Sequence, residues 1–166
     1  LEFRRVLFRS PASSYGMYGQ AQAAYFQMVN DTGGINGRRI NLISLDDSYS
    51  PPKTIEQTRR LVESDGVLFI AGPLGTAPNT AIGRYLNGKK IPHLFLTSGG
   101  SRFNNPSGFP WSVPLYPSNE GVSHIFAQHL LTAHPAAKVG VLYMNDDLGK
   151  DYLAGLRAGL GARAKI

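Results

Sequence analysis

Cysteine is missing from all 166 residues. That excludes disulfide staples, cysteine–zinc sites and thiol catalysis, and it fits an oxidising compartment without proving one. No apolar run approaches the roughly 20 residues that a membrane span needs. There is no GxxxxGK(S/T) loop, no GxGxxG after a strand-like run and no GxSxG elbow. The motifs of nucleotide binding and of serine hydrolases are therefore lacking. Imidazoles number only four. His124 and His129 lie five apart on one helical segment, not the four that would align two metal ligands. His134 precedes Pro135 in a turn, and His93 falls in an apolar run that suggests a packed side chain rather than a base. Neither metal, cofactor nor enzymatic activity is expected.

Acidic residues are also few, 11 against 17 Lys and Arg, for a net charge of +6. The basic residues are scattered (Arg38/Arg39, Arg59/Arg60, Lys89/Lys90) and no aromatics interleave with them. They read as solvated helix ends, and no nucleic-acid partner is expected. Part of the charge belongs to Leu1–Ser10, LEFRRVLFRS, which back-translates to CTG GAG TTC AGA CGT GTG CTC TTC CGA TCT. That string has the form of a short-read sequencing adapter, so residues 1–10 are read as a non-native scar and set aside from the fold. Without them, 14 basic and 10 acidic residues remain. No secretory leader is visible, which carries no weight about secretion here.

What is present is 42% hydrophobic residues, enough for a buried core in a chain of one-domain size. Helical periodicity runs from about Tyr18 to Asp31, with Ala21, Ala24, Tyr25, Met28 and Val29 on one face. Gly33 and Gly34 stop it, because a helix end favours glycine in the left-handed conformation. Ile40–Leu45 is β-rich. Pro51 and Pro52 open a helix to about Val62, since proline in a first turn forfeits no needed N–H. Val67–Ala71 is a short apolar strand of the doubly buried kind. Helices are expected over Pro78–Leu86, Glu120–Ala133 and Asp151–Leu160, and strands over Ile91–Leu96 and Val139–Met144. Ser98–Pro110 is a polar loop and Trp111–Leu115 is extended. Strands alternating with helices predict an α/β fold, an open parallel sheet with helices on both faces.

Ligands of such sheets bind beyond the carboxyl ends of the strands. Three loops qualify: Ser13-Ser14-Tyr15-Gly16, Gly72-Pro73-Leu74-Gly75-Thr76 and Thr97-Ser98-Gly99-Gly100-Ser101. All are rich in glycine and hydroxyl groups, and the second runs into a helix N-terminus, where free N–H groups favour an anion. Such loops suit the carboxylate of an amino acid or organic acid. The plain alternative for Thr76 is a helix cap. Tyr116, beside Trp111 near the end of the extended segment, either packs a hinge or lines a cleft.

Four stretches carry a resemblance: YFQMVNDTGGINGRRINLISLDD (Tyr25–Asp47), VLFIAGPLGTAPN, KKIPHLFLTSGGS and KVGVLYMNDDLGKDY. Together they resemble the periplasmic solute-binding proteins of ABC transporters, of the leucine/isoleucine/valine type and type I fold. The resemblance covers nearly everything from Pro11 onward. It implies residues 11–117 as a first ligand-binding lobe lacking its first strand, a crossing near Pro114–Asn119, and residues 118–166 as the start of a second, incomplete lobe. Ala164–Ile166 is then the start of a further strand. Leu1–Leu7 would fall on the missing first strand, for which Arg4 and Arg5 are poor residues. A chain so divided is expected to associate through open edges and to bind amino acids weakly.

The resemblance further implies that Thr76, Gly99 and Ser101 hold the charged head of a small ligand, with Leu74, Gly75 and Gly100 beside them and Ser14 or Tyr15 as a cover. It implies that the paired aspartates Asp46/Asp47 and Asp146/Asp147 order loops and caps. Leu148 stands where the family usually has an aromatic, which points to a ligand other than leucine. The implied function is extracytoplasmic binding of an amino acid or organic acid for the membrane permease subunits of an ABC importer. A ligand-sensing receptor or regulatory domain of the same fold is the alternative, and a Rossmann-like enzyme is the third reading.

Overall fold

A computed structural model describes residues 16–163. Ser14, Tyr15, the Leu1–Ser10 segment and Ala164–Ile166 lie outside the described residues. The chain divides after Gly66 into two compact units.

The first unit opens with helix α1, Gly16–Asp31. Gly33 and Gly34 end it with φ of 102° and 73°, as the glycine pair predicts. Ile40–Leu45 enters no ladder among the described residues. Instead the buried Asn30 side chain takes the place of a strand: its amide donates to Ile40 O at 2.8 Å and its Oδ1 accepts from Ile40 N at 2.7 Å. Asp46 and Asp47 accept from the backbone N–H of Ser48 and Tyr49, and Thr54 donates to Asp47 Oδ2 at 2.6 Å. This is the loop-ordering role expected of that pair. Helix α2, Pro51–Arg59, follows with proline at its first positions and widens into a π turn over Arg60–Ser64. The apolar face expected on α1 stays exposed at Ala21, Ala24, Tyr25 and Met28.

The second unit holds a three-stranded parallel sheet in the order β1-β2-β3. The strands are β1, Ile70–Ala71; β2, His93–Leu96; and β3, Ser112–Pro114. The connecting helix α3 is Thr76–Lys89, and α4, Asn119–Ala133, and α5, Asp147–Leu160, come after the sheet. Ile82 and Leu86 of α3, Leu96 of β2 and Phe103 form the buried core. Phe103 stacks edge-on against Phe109 and His93. Between Leu94 and Leu96 the register of β2 against β3 shifts, and Phe95 sits at φ +54° in that bulge. Helices α4 and α5 approach closely because Gly155 and Gly159 carry no side chain. A Cβ at Gly155 would meet Glu120 O and Ser123 Oγ, and one at Gly159 would lie 2.5 Å from the Ala127 Cβ.

Three expectations change. Val139–Met144 forms no strand among the described residues, and Val139, Val141, Leu142, Tyr143 and Met144 are exposed. Strand preference measures fit to a pleated, half-buried surface, and among the described residues no neighbouring strand supplies one. The doubly buried strand expected over Val67–Ala71 shrinks to Ile70–Ala71, with Leu68 81% exposed. Helix α5 begins four residues earlier than its periodicity suggests, because Asp146 caps it by accepting from Gly149 N at 2.9 Å. Among the described residues, no helix is long and apolar enough to cross a membrane.

Candidate functional site

The loops after β1 and β2 run side by side. Gly72 N donates to Leu94 O at 2.9 Å, Thr97 N to Pro73 O at 3.0 Å and Gly75 N to Thr97 O at 3.1 Å. Leu74 pairs with Thr97 as a one-residue continuation of the parallel sheet. Gly72 and Gly75 take φ of 66° and 94°, a region that glycine enters without steric cost.

Gly75 is the N-cap of α3 and supplies no side-chain cap. Thr76 is the first helical residue, so its hydroxyl is not a cap. It lies 2.9 Å from Ser98 Oγ, which also accepts from Gly100 N at 3.0 Å. A Cβ at Gly100 would stand 3.1 Å from the Thr76 methyl. Thr76, Ser98 and Gly100 thus form one tight cluster across the two loops.

A buried hydrogen-bond chain holds this cluster from behind. Asn87 Nδ2 donates to Ser112 Oγ at 2.9 Å, and Ser112 Oγ lies 3.4 Å from His93 Nδ1. His93 Nε2 lies 2.7 Å from Asn79 Oδ1. The Asn79 amide donates to Pro73 O and Gly75 O at 2.9 and 2.6 Å. Since Asn79 Oδ1 can only accept, His93 carries its proton on Nε2 and accepts from the Ser112 hydroxyl. Burial lowers the pKa of His93 from 6.5 to about 4 and keeps it neutral. The expected packed histidine is therefore tied to the loop it lies behind.

Two cavities open in front of the cluster. One, of about 230 Å³, is lined by Thr76, Gly100, Arg102, Asp147, Lys150 and Asp151. The other, of about 710 Å³, has Ser101, Arg84, Asn105, Phe109, Glu120 and Asp151 on its walls. Of the residues named from sequence, Thr76, Gly100 and Ser101 line these cavities. Leu74, Gly75 and Gly99 line neither, and a Cβ on Gly99 would strike Asn119 Oδ1 and lie 2.6 Å from Pro117 O. Tyr116, just past β3, lines neither cavity. Asn119 is buried, and its amide nitrogen has no hydrogen-bond partner.

Sequence reasoning missed the charged wall. Helix α5 brings Asp147 and Asp151, one turn apart on the same face, to the loop after β2. Asp147 accepts from Thr80 Oγ1 at 3.0 Å and pairs with Arg102 at 3.2 Å. Asp151 Oδ2 accepts from Ser101 N at 2.7 Å. The i,i+4 spacing was legible, but not what it would meet some fifty residues away. Among the described residues no cluster of three or more His, Asp or Glu could hold a metal.

The chain is similar to known proteins over most of its length. Residues 8–163 match the model of a family described as "Periplasmic binding protein". An amino acid binding protein of Pseudomonas aeruginosa is 24% identical over 146 residues, 86% of this chain and 37% of that protein. A substrate-binding periplasmic protein from Ralstonia solanacearum superposes with a TM-score of 0.82 at 28% identity, over 95% of this chain and 44% of that one. The branched-chain amino acid substrate-binding protein LivJ of Streptococcus pneumoniae, solved with isoleucine, gives 0.75 at 19% over 90% and 43%. A solute-binding protein from Rhodopseudomonas palustris, solved with 3,4-dihydroxybenzoic acid, gives 0.75 at 20% over 92% and 41%. The last two show a common fold. The chain spans less than half the length of each of these relatives. With the family model matching nearly end to end, the chain belongs to the periplasmic binding protein family, a family of binding proteins rather than enzymes.

Proposed function

We propose that the chain is part of the extracytoplasmic substrate-binding component of an ABC importer, and that its ligand is a small molecule carrying a carboxylate. The observation that carries this reading is the paired loop cluster. Thr76, Ser98, Gly100 and Ser101 bring hydroxyl and backbone N–H groups together at the carboxyl ends of two parallel strands, with Gly99 and Gly100 where a Cβ would crowd Asn119 and Thr76. The ligands of the two complexes, isoleucine and 3,4-dihydroxybenzoic acid, share a carboxylate and little else, which fits a seat built for that group. Residues 11–117 then form the first lobe and 118–166 the beginning of the second. Closure of the lobes shifts the population toward a form that the permease subunits recognise.

Ligand-observed NMR titration of the 166-residue chain with benzoate and with isoleucine tests the reading, with benzyl alcohol as the control lacking a carboxylate. One wall of a cleft buries less than the 70–90% of ligand surface usual at such sites, so affinity in the millimolar range, about 4 kcal/mol, is expected. Binding of both carboxylates but not of the alcohol supports it. Equal binding of all three, or of none, overturns it.

A further inference from the structure

One backbone donor of these loops, the Ser101 N–H, already holds a carboxylate. Asp151 Oδ2 accepts from the Ser101 N–H at 2.7 Å, a length typical of a charge-assisted bond. Asp151 is half-buried and stands on the wall of both cavities. It reaches this position from the second turn of α5, which Asp146 caps and which Asp147 ties to Thr80 and Arg102. The placement is therefore held on two sides. Beside it, Thr76 and Ser98 share one hydrogen bond, which commits one of their two hydroxyl protons and leaves the other to donate, and Ser98 takes the Gly100 N–H.

We infer that Asp151 is a specificity-determining residue that acts as a built-in competitor, its carboxylate filling the place a ligand carboxylate takes on the Ser101 N–H. The inference rests on the reading of these loops as a carboxylate seat. An incoming carboxylate must displace Asp151 and approach a second negative charge. Asp151 thus sets a threshold: ligands whose remaining contacts are weak are rejected, and those with larger contacts open the seat. Charge repulsion is the physical basis of the discrimination, since like charges in a partly desolvated site oppose one another. The plain alternative is that Asp151 only caps the short turn at Ser101–Phe103, in which case its loss lowers stability and does nothing for binding.

The test is titration of the 166-residue chain, wild type, Asp151→Asn and Asp151→Ala, with benzoate and with isoleucine, alongside thermal melts. Removing a competing charge-assisted hydrogen bond is expected to tighten Kd for benzoate by roughly tenfold in each variant. Tightening in whichever variant retains a cooperative melt supports the inference. Wild-type binding with unchanged or weaker binding in the variants overturns it and leaves the carboxylate seat standing. Absence of carboxylate binding in wild type and variants alike overturns the seat and the inference together.

Discussion

Acidification should destabilise the second unit through His93. His93 lies fully buried in β2, with burial lowering its pKa from 6.5 to about 4. The imidazole donates to Asn79 and accepts from Ser112. The unfolded chain takes up a proton on this imidazole near pH 6.5, whereas the folded chain resists until about 4. A base with a depressed folded pKa stabilises fully above its unfolded value and loses that contribution as pH falls from there to the folded value. Below about 4 both states are protonated and no further loss follows. The shift corresponds to about 3 kcal/mol in all, at about 1.4 kcal/mol per unit. Between about pH 7.5 and about pH 4.5, roughly 2.5 kcal/mol should disappear. That is a large share of the usual 5–15 kcal/mol of a folded domain.

The assay is urea unfolding at stepped pH, wild type beside His93→Gln. Glutamine can still donate to Asn79 and accept from Ser112 but does not titrate. His93→Gln is less stable at neutral pH, and its deficit should shrink steadily as the pH falls. Other titrating groups cancel in the comparison. If the two curves run parallel from neutral pH to about pH 4.5, His93 is not the linked group and the burial argument is refuted. Because the folded imidazole stays neutral down to about pH 4, the Asn79 amide keeps its hold on Pro73 and Gly75, and the folded loops keep their geometry across this window.

Two further outcomes follow from the site. Thr76→Ala removes the hydroxyl that meets Ser98; losing a ligand hydrogen bond of about 1.5–3 kcal/mol weakens Kd for benzoate roughly ten- to hundredfold. Calorimetry with parallel thermal melts decides, since unchanged affinity with a lowered Tm confines Thr76 to packing. Gly99→Ala drives a methyl into Asn119 Oδ1 and the Pro117 carbonyl, an overpacking cost of about 1–3 kcal/mol. Urea unfolding should register that loss, and a neutral effect would show that the Asn119 side chain moves aside freely.

The features legible in the sequence are those whose causes are local. The glycine pair at Gly33–Gly34 ends α1 because left-handed φ is cheap only there, and Pro51–Pro52 opens α2 because a first turn needs no N–H. The glycines of the Gly72–Thr76 loop are local in the same sense, since Gly72 and Gly75 sit at positive φ. Even the packed state of His93 was visible in the apolar run around it. Tertiary structure decided what these elements meet. Ile40–Leu45 and Val139–Met144 have strand character, but a strand exists only where a ladder partner lies alongside, and that partner is non-local. Asn30 stood in for one at Ile40, which no propensity foretells. Asp151 reads as an ordinary helix-surface acid until α5 folds back to place it on the Ser101 N–H. Local chemistry wrote the donors of this site, and long-range packing chose the carboxylate that occupies one of them.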